Sequence, residues 1–304
     1  MKKIILDTDT ANEADDYFAL AYLLKNRDLF DVKAITIAPF RTDVYQKNVS
    51  DSIDDSYNAA CTIFDYLNID NKSIIYKGSR NYICKGYNEE SDAVKKIIEI
   101  AKENDKVYIL SIGCLTNVAL AIKKAPEIIN HIEVIWLGTN FLFGPNSDFN
   151  FIQDVEAVKV VFKSKVKLTI MPCSPITSNL MVSIYELKAE IGGKNELCDY
   201  LCEKFYNRPY GPTKRWPLWD ISVIAYMIND KWFNTMEISC PSIKDDNTFL
   251  FEENDHKIKF VNYLNANSIF ESLFETLKRE NIVIYVYGIR TRLIGNSNFY
   301  KLEF

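Results

Sequence analysis

Two hydrophobic periods alternate along most of the chain. Short aliphatic runs that suit strands buried on both faces occur at Ile4 to Leu6, Asp31 to Ala38, Ser73 to Tyr76, Lys106 to Ser111, Ile132 to Leu137 and Val166 to Met171. Between and after them, apolar residues recur every three or four positions. This predicts helices over Asp15 to Leu24, Val49 to Tyr66, Asp92 to Lys102, Thr116 to Lys124, Asp154 to Lys163, Ser183 to Glu190, Asn195 to Tyr206 and Asp220 to Met227. Strands that alternate with helices predict a parallel sheet covered on both faces, since a parallel connection must cross over the sheet. Beyond residue 230 the texture changes. Strand patterns at Lys231 to Ile238, Thr248 to Glu252, His256 to Leu264 and Ile282 to Tyr287 surround one helix, Ser268 to Arg279. They predict either a small antiparallel appendage or edge strands of the main sheet.

The fold expected is therefore α/β, an open, mostly parallel Rossmann-like sheet with helices on both faces and a short mixed C-terminal β region. With no Gly-, Ser- or Pro-rich linker and no internal repeat, residues 1–304 read as one domain. No apolar run approaches the ~20 residues that span a bilayer. Met1-Lys2-Lys3 leads into only three aliphatics before Asp7, unlike a signal peptide. A cytoplasmic protein without a membrane partner is expected. A net charge of −5 with no Lys/Arg cluster argues against a nucleic acid partner. Seven cysteines without a Cys-x-x-Cys read as reduced, mostly buried thiols, and Cys198 and Cys202 sit one helical turn apart, a poor geometry for a bridge. The two histidines, His131 and His256, have no partner spacing for a metal or a catalytic triad.

Against this background one stretch stands apart. The first strand runs into Asp7-Thr8-Asp9-Thr10-Ala11-Asn12-Glu13-Ala14-Asp15-Asp16, which carries five carboxylates in ten residues. Asp15 and Asp16 open the following helix, where the partial positive charge of its N-terminus favours them. In an open α/β sheet the strand tip and the helix start face the crevice where ligands bind. Converging carboxylates repel and need a counter-charge, and an all-oxygen set without His or Cys calls for a hard ion, Ca²⁺ or Mg²⁺. Capping and Asx turns alone would account for at most two of these acids.

Three later segments add to the crevice. Strand Val107 to Ser111 ends at Ile112-Gly113-Cys114-Leu115-Thr116-Asn117, where Gly113 permits close backbone approach and the Ile112 carbonyl can serve as a metal ligand. Strand Val134 to Leu137 opens into a long polar-aromatic loop from Gly138 to Asn150. In an extended segment Asp148 and Asn150 would point the same way and clamp two sugar hydroxyls. The loop from Asn207 to Asp220 is rich in Pro and holds Tyr210, Trp216 and Trp219, which suits a lid that stacks on a flat ligand while Asp220 joins the metal. Trp216 and Trp219 equally suit a core position.

Taken in order, these residues resemble the inosine-uridine-preferring nucleoside hydrolase family from Ile4 to at least Ala225. The anchors are Asp7-x-Asp9, the Asp15-Asp16 pair, Gly113-x-Leu115-Thr116-Asn117, Phe149-Asn150 with Asp154-x-Glu156-Ala157, and Asp220 at the start of a late helix. The resemblance implies hydrolysis of the N-glycosidic bond of a ribonucleoside, in a homo-oligomer. It implies a Ca²⁺ held by Asp9, Asp16, the Ile112 carbonyl and Asp220, with Asp9 also the general base on the water. Asp15, Asp148, Asn150 and Asn146 would contact the sugar. The chain departs from the pattern in three places. Five residues instead of three separate the acidic pairs, as in an Asn-Glu-x-Asp-Asp branch. Ala38-Pro39-Phe40-Arg41 replaces a Gly-Asn after the second strand, and Trp219 stands where a His would protonate the leaving base. Trp219 can stack on the base but cannot act as an acid.

Two rival readings follow from the same residues. Asp7-Thr8-Asp9-Thr10 also resembles the opening motif of haloacid-dehalogenase-type phosphatases, with Asp7 as nucleophile and Ser111 on the phosphate, although no Gly-Asp-x-x-x-Asp follows. The other rival is a relative that binds a nucleoside or sugar without cleaving it.

Overall fold

The computed structural model describes residues 1–41, 48–208, 211–280, 282–286 and 289–293. Its first strand, β1 (Lys2–Thr8), is aliphatic from Ile4 to Leu6 and buried on both faces because it lies in the middle of a sheet. β2 (Phe30–Ile37), β3 (Ile75–Tyr76), β4 (Val107–Ser111), β5 (Ile132–Leu137) and β6 (Lys167–Met171) follow, with the short β7 (Met181–Ser183) and β8 (Arg215–Pro217) paired apart from them. β9 (Phe233–Ser239), β10 (Ser242–Ile243), β11 (Phe249–Leu250), β12 (Lys257–Leu264), β13 (Ile282–Val286) and β14 (Ile289–Leu293) complete the set. The main sheet has eight strands in the order β3-β2-β1-β4-β5-β6-β12-β9. All its pairings are parallel except β12 with β9.

That order decides where a ligand can sit. From β1 the chain winds outward through β2 to one edge, then returns to β4 and winds toward the other. The crevice between the carboxyl ends of β1 and β4 is thus the topological switch point of the sheet. Register aligns Asp7 with Ser111 across it.

The helices are α1 (Ala14–Lys25), α2 (Val49–Tyr66), α3 (Asp92–Lys102), α4 (Thr116–Lys124), α5 (Phe149–Gln153), α6 (Val155–Lys163), α7 (Ile184–Glu190), α8 (Glu196–Tyr206), α9 (Ile221–Ile228) and α10 (Ala266–Lys278). Every residue of α1 is buried, down to its final Lys25. Such a helix needs partners all round, and α2, α8, α9 and α10 supply them. On the opposite face of the sheet, α3, α4 and α6 cover a second core centred on Ile109, Val134 and Trp136. Side-chain caps fix several helix starts, with Asn48, Ser91, Asn195 and Asn265 each accepting from a backbone amide of the first turn.

The late strands resolve the choice left by the sequence. β12 and β9 extend the main sheet, β12 pairing with β6 and β9 forming the edge, while β10 with β11 and β13 with β14 form separate two-stranded ribbons. Several predicted spans are shorter in the fold. The patterns at Ser73 and Lys231 begin as 3₁₀ turns, Lys72–Ile74 and Asp230–Trp232, before pairing starts. Thr248 to Glu252 pairs only at Phe249–Leu250. Tyr287, the last residue of a predicted strand, lies outside the described residues, as does Tyr210 of the Pro-rich loop. No helix among the described residues is long and apolar enough to cross a membrane.

Candidate active site at the switch point

β1 delivers Asp9 just past its tip, and the chain turns at once, with the Asn12 amide donating to the Asp9 carbonyl at 2.7 Å. α1 then starts with Asp15 and Asp16 in its first turn. Asp220 caps the backbone start of α9, but its carboxylate makes no capping bond. One oxygen each from Asp15, Asp16 and Asp220 lies within 4.8 Å of the others. All three residues and Asp9 are buried. Burial is the main force raising Asp9, Asp16 and Asp220 well above the usual carboxylate range, and the charges of their acidic neighbours push in the same direction. Asp15 rises to about 6, again through burial, with backbone amides of α1 and α9 partly offsetting it.

These residues suit a cation. Three carboxylate oxygens within 4.8 Å of one another match one ion with ligand distances of about 2.3–2.6 Å. Asp9 Oδ2 is buried without a hydrogen-bond partner, which is costly for an acceptor that has nothing to bind. The resemblance groups Asp9 with Asp16 and Asp220; the oxygens within 4.8 Å of one another belong to Asp15, Asp16 and Asp220, and Asp9 lines the same cavity. Ile112 also borders this space. A Cβ on Gly113 would come within 2.9 Å of Ala38 Cβ and 3.0 Å of Asp9 Oδ1, so glycine lets the β4 exit approach the acid.

The space is a cavity of about 390 Å³, within the ~300–1,000 Å³ typical of small-molecule sites. Asp9, Asp15, Asp16 and Asp220 line it together with Asp148, Asn150, Trp216 and Trp219. Asp148 and Asn150 reach it differently from the extended arrangement expected. The segment closes into α5 because Asp148 Oδ1 accepts from the Phe151 and Thr139 amides, at 3.0 Å each. Asn150 Nδ2 donates to the carbonyls of Ile112 and Leu137, both at 3.0 Å. Asn150 therefore fixes the carbonyl predicted to be a metal ligand. Asp148 is raised to about 6, chiefly by burial.

Asn146 is not brought to the cavity wall. Its amide accepts from Asn140 N and donates to Asn247 O, at 3.0 and 3.4 Å, which pins the loop rather than a sugar. Trp219 does line the cavity, with its indole N–H donating to Ser178 Oγ at 3.1 Å. Trp216 meets it edge to face, ring centroids 5.5 Å apart. The Ala38-Pro39-Phe40 exit of β2 is buried and apolar, and Arg41 exchanges backbone hydrogen bonds with the Gln153 side chain.

Sequence reasoning gave Glu13 and Arg208 no role. Glu13 lines the cavity and accepts from Arg208 at 3.4 Å, and the Arg208 guanidinium lies 3.2 Å over the Trp216 ring. Burial, then the charge of Asp15, pushes Glu13 up to about 8 despite the arginine. Glu13 was visible as one of the five acids of the loop, but a contact spanning 195 positions has no local signal.

The phosphatase geometry is absent. Asp7 is fully buried outside the cavity wall, and its Oδ1 accepts from Thr36 at 2.6 Å and Asn117 at 2.9 Å. Burial holds it at about 6. Its hydrogen bonds tie the end of β1 to β2 and to the start of α4.

The chain is similar to several known proteins. A probable ribonucleoside hydrolase of Dictyostelium discoideum is 30% identical over 155 residues, 47% of this chain and 46% of that protein. The pyrimidine-specific ribonucleoside hydrolase RihB of Escherichia coli is 27% identical over 161 residues, 49% of this chain and 51% of that one. The chain thus matches about half the length of these curated relatives. Among solved structures, the plant nucleoside hydrolase PpNRh1 superposes with a TM-score of 0.74 at 18% identity, over 91% of this chain and 99% of its own, a likeness of fold. The model of the family described as inosine-uridine preferring nucleoside hydrolase matches residues 4–271, and the chain belongs to that family.

Proposed function

We propose that this protein hydrolyses the N-glycosidic bond of a ribonucleoside to free base and sugar. The observation that carries the reading is the buried acidic cluster of Asp9, Asp15, Asp16 and Asp220 at the sheet's switch point, in a cavity also walled by Trp216 and Trp219. Asp9, Asp16, Asp220 and the Ile112 carbonyl would hold a calcium ion, with Asp15 beside them. The ion would supply positive charge and fix the position of sugar hydroxyls and water.

The chain's own residues do the rest. Cleavage passes through an oxocarbenium-like sugar carbon, which needs nearby negative charge and an aligned water. Asp9 accepts a proton from that water. It is suited to this because Oδ2 has no other partner and burial raises its proton affinity. Asp15 takes a sugar hydroxyl at the metal end, and Asp148 and Asn150 flank the other. Trp219, with Trp216 behind it, offers a face for the departing base in place of an acid. RihB is named as pyrimidine-specific and a solved neighbour from Gardnerella vaginalis as purine-preferring, so the reading stops at a ribonucleoside. It extends to a homo-oligomer in the cytoplasm, as the family resemblance implies.

A reducing-sugar assay on inosine, uridine, adenosine and cytidine tests the reading. Release of free sugar from at least one supports it. Nucleoside that binds and is recovered unchanged would favour the binding-only relative instead.

A further inference from the structure

Among the described residues the cavity wall holds three buried side-chain acceptors without a partner in the protein, Asp9 Oδ2, Asn12 Oδ1 and Glu13 Oε2, the last on a carboxylate whose other oxygen already accepts from Arg208. Asn12 is only 7% exposed, and a turn joins its backbone amide to the Asp9 carbonyl at 2.7 Å. The Asn12 side-chain amide faces the Asp9 carboxylate and favours its charged form. The Thr8 hydroxyl of this loop, by contrast, is satisfied by Thr10 and Asp16. An unpaired buried carbonyl oxygen is costly, so one in a cavity wall marks a place for a donor.

We propose that Asn12 orients the attacking water, its Oδ1 accepting one proton of the water while Asp9 accepts the other. This rests on the hydrolase reading. A water held through both protons presents a lone pair on its far side, toward the sugar carbon. As its oxygen bonds to C1′, the C1′–N bond breaks and that electron pair stays on the base, which takes a proton from solvent. Asp9 takes one water proton and later returns it to solvent. The proton held by Asn12 remains on the new anomeric hydroxyl.

Methanol separates this role from simple support of Asp9, because methanol has one hydroxyl proton and needs only one acceptor. The native protein, Asn12→Leu and Asn12→Ala are assayed with calcium in water–methanol mixtures, and sugar and methyl glycoside are measured by chromatography. Leu removes the acceptor at similar volume, and Ala carries the same test if Leu prevents folding. For hydrolysis, kcat should fall on the order of 10²-fold, as for a misplaced reactant, with KM within about twofold. The ratio of methyl glycoside to free sugar should rise several-fold in both variants. An unchanged kcat, or a lower kcat with the native product ratio, would overturn the assignment. Failure of the native protein to cleave any nucleoside would instead show, without any variant, that the hydrolase reading had failed.

Discussion

The backbone amide of Asp220 donates to a carboxylate oxygen of Asp15 at 3.2 Å, across 205 positions of sequence. This bond ties the first turn of α1 to that of α9, so the two helix starts that aim acids into the crevice are held as one unit. The fold thereby keeps like charges close, against their repulsion, and the following predictions draw on that tension.

Without metal, stability should fall as pH rises. Burial lifts Asp7 and Asp15 from 3.8 to about 6. A carboxyl with a higher pKa folded than unfolded contributes stability that is full below about pH 4 and is lost as pH climbs through about 6. In EDTA, the thermal midpoint should therefore be lower at about pH 7.5 than at about pH 5. Calcium should restore more of it at the higher pH, because the ligands must be deprotonated to bind. Identical melting curves with calcium and with EDTA at both pH values would contradict the metal assignment.

Asp9 and Asp16 should fail in different ways. Asp9→Asn should lower kcat by the ~10²–10⁴-fold typical of a lost general base, with a smaller change in KM. Both variants remove a proposed calcium ligand and should weaken calcium binding in a calorimetric titration, but at saturating calcium Asp16→Asn should regain more of its kcat than Asp9→Asn. Near-normal turnover by the Asp9 variant would remove it as the base.

The Asn150 clamp makes a stability prediction. Asn150→Ala leaves the buried carbonyls of Ile112 and Leu137 without that donor, and each should cost about 1–3 kcal/mol. Urea denaturation should show a loss of about 2 kcal/mol or more. A loss within error would mean that other donors reach those carbonyls.

How far the sequence could be read differs between elements for physical reasons. α2, α3 and α4 occupy the predicted ranges residue for residue, because amphipathic period and the caps at Asn48 and Ser91 agree. The Asp15-Asp16 pair and Asp220 were legible as helix openings, and the fold brings them together. α5 was not legible, since five residues carry no measurable period. The helix forms because Asp148 caps Phe151 and Phe151 is fully buried. The contact of Asn146 with Asn247 was not legible either, since 101 positions separate the two. Glu13 was seen but could not be given a role without Arg208.

Trp219 should govern affinity for the base. Stacking of a base on an aromatic ring is worth about 1–3 kcal/mol. Trp219→Ala should therefore lower kcat/KM by about tenfold or more, while Trp219→Phe retains most of it. Equal kcat/KM for both variants and the native protein would place the base elsewhere in the cavity.

The central claim is that the acids of the switch point form a metal-dependent nucleoside hydrolase. Its most direct test is chromatography of the purified protein incubated with mixed purine and pyrimidine ribonucleosides, with calcium and with EDTA. The account predicts free base and ribose that accumulate with calcium and not with EDTA. Ribonucleosides that remain intact under both conditions would contradict it.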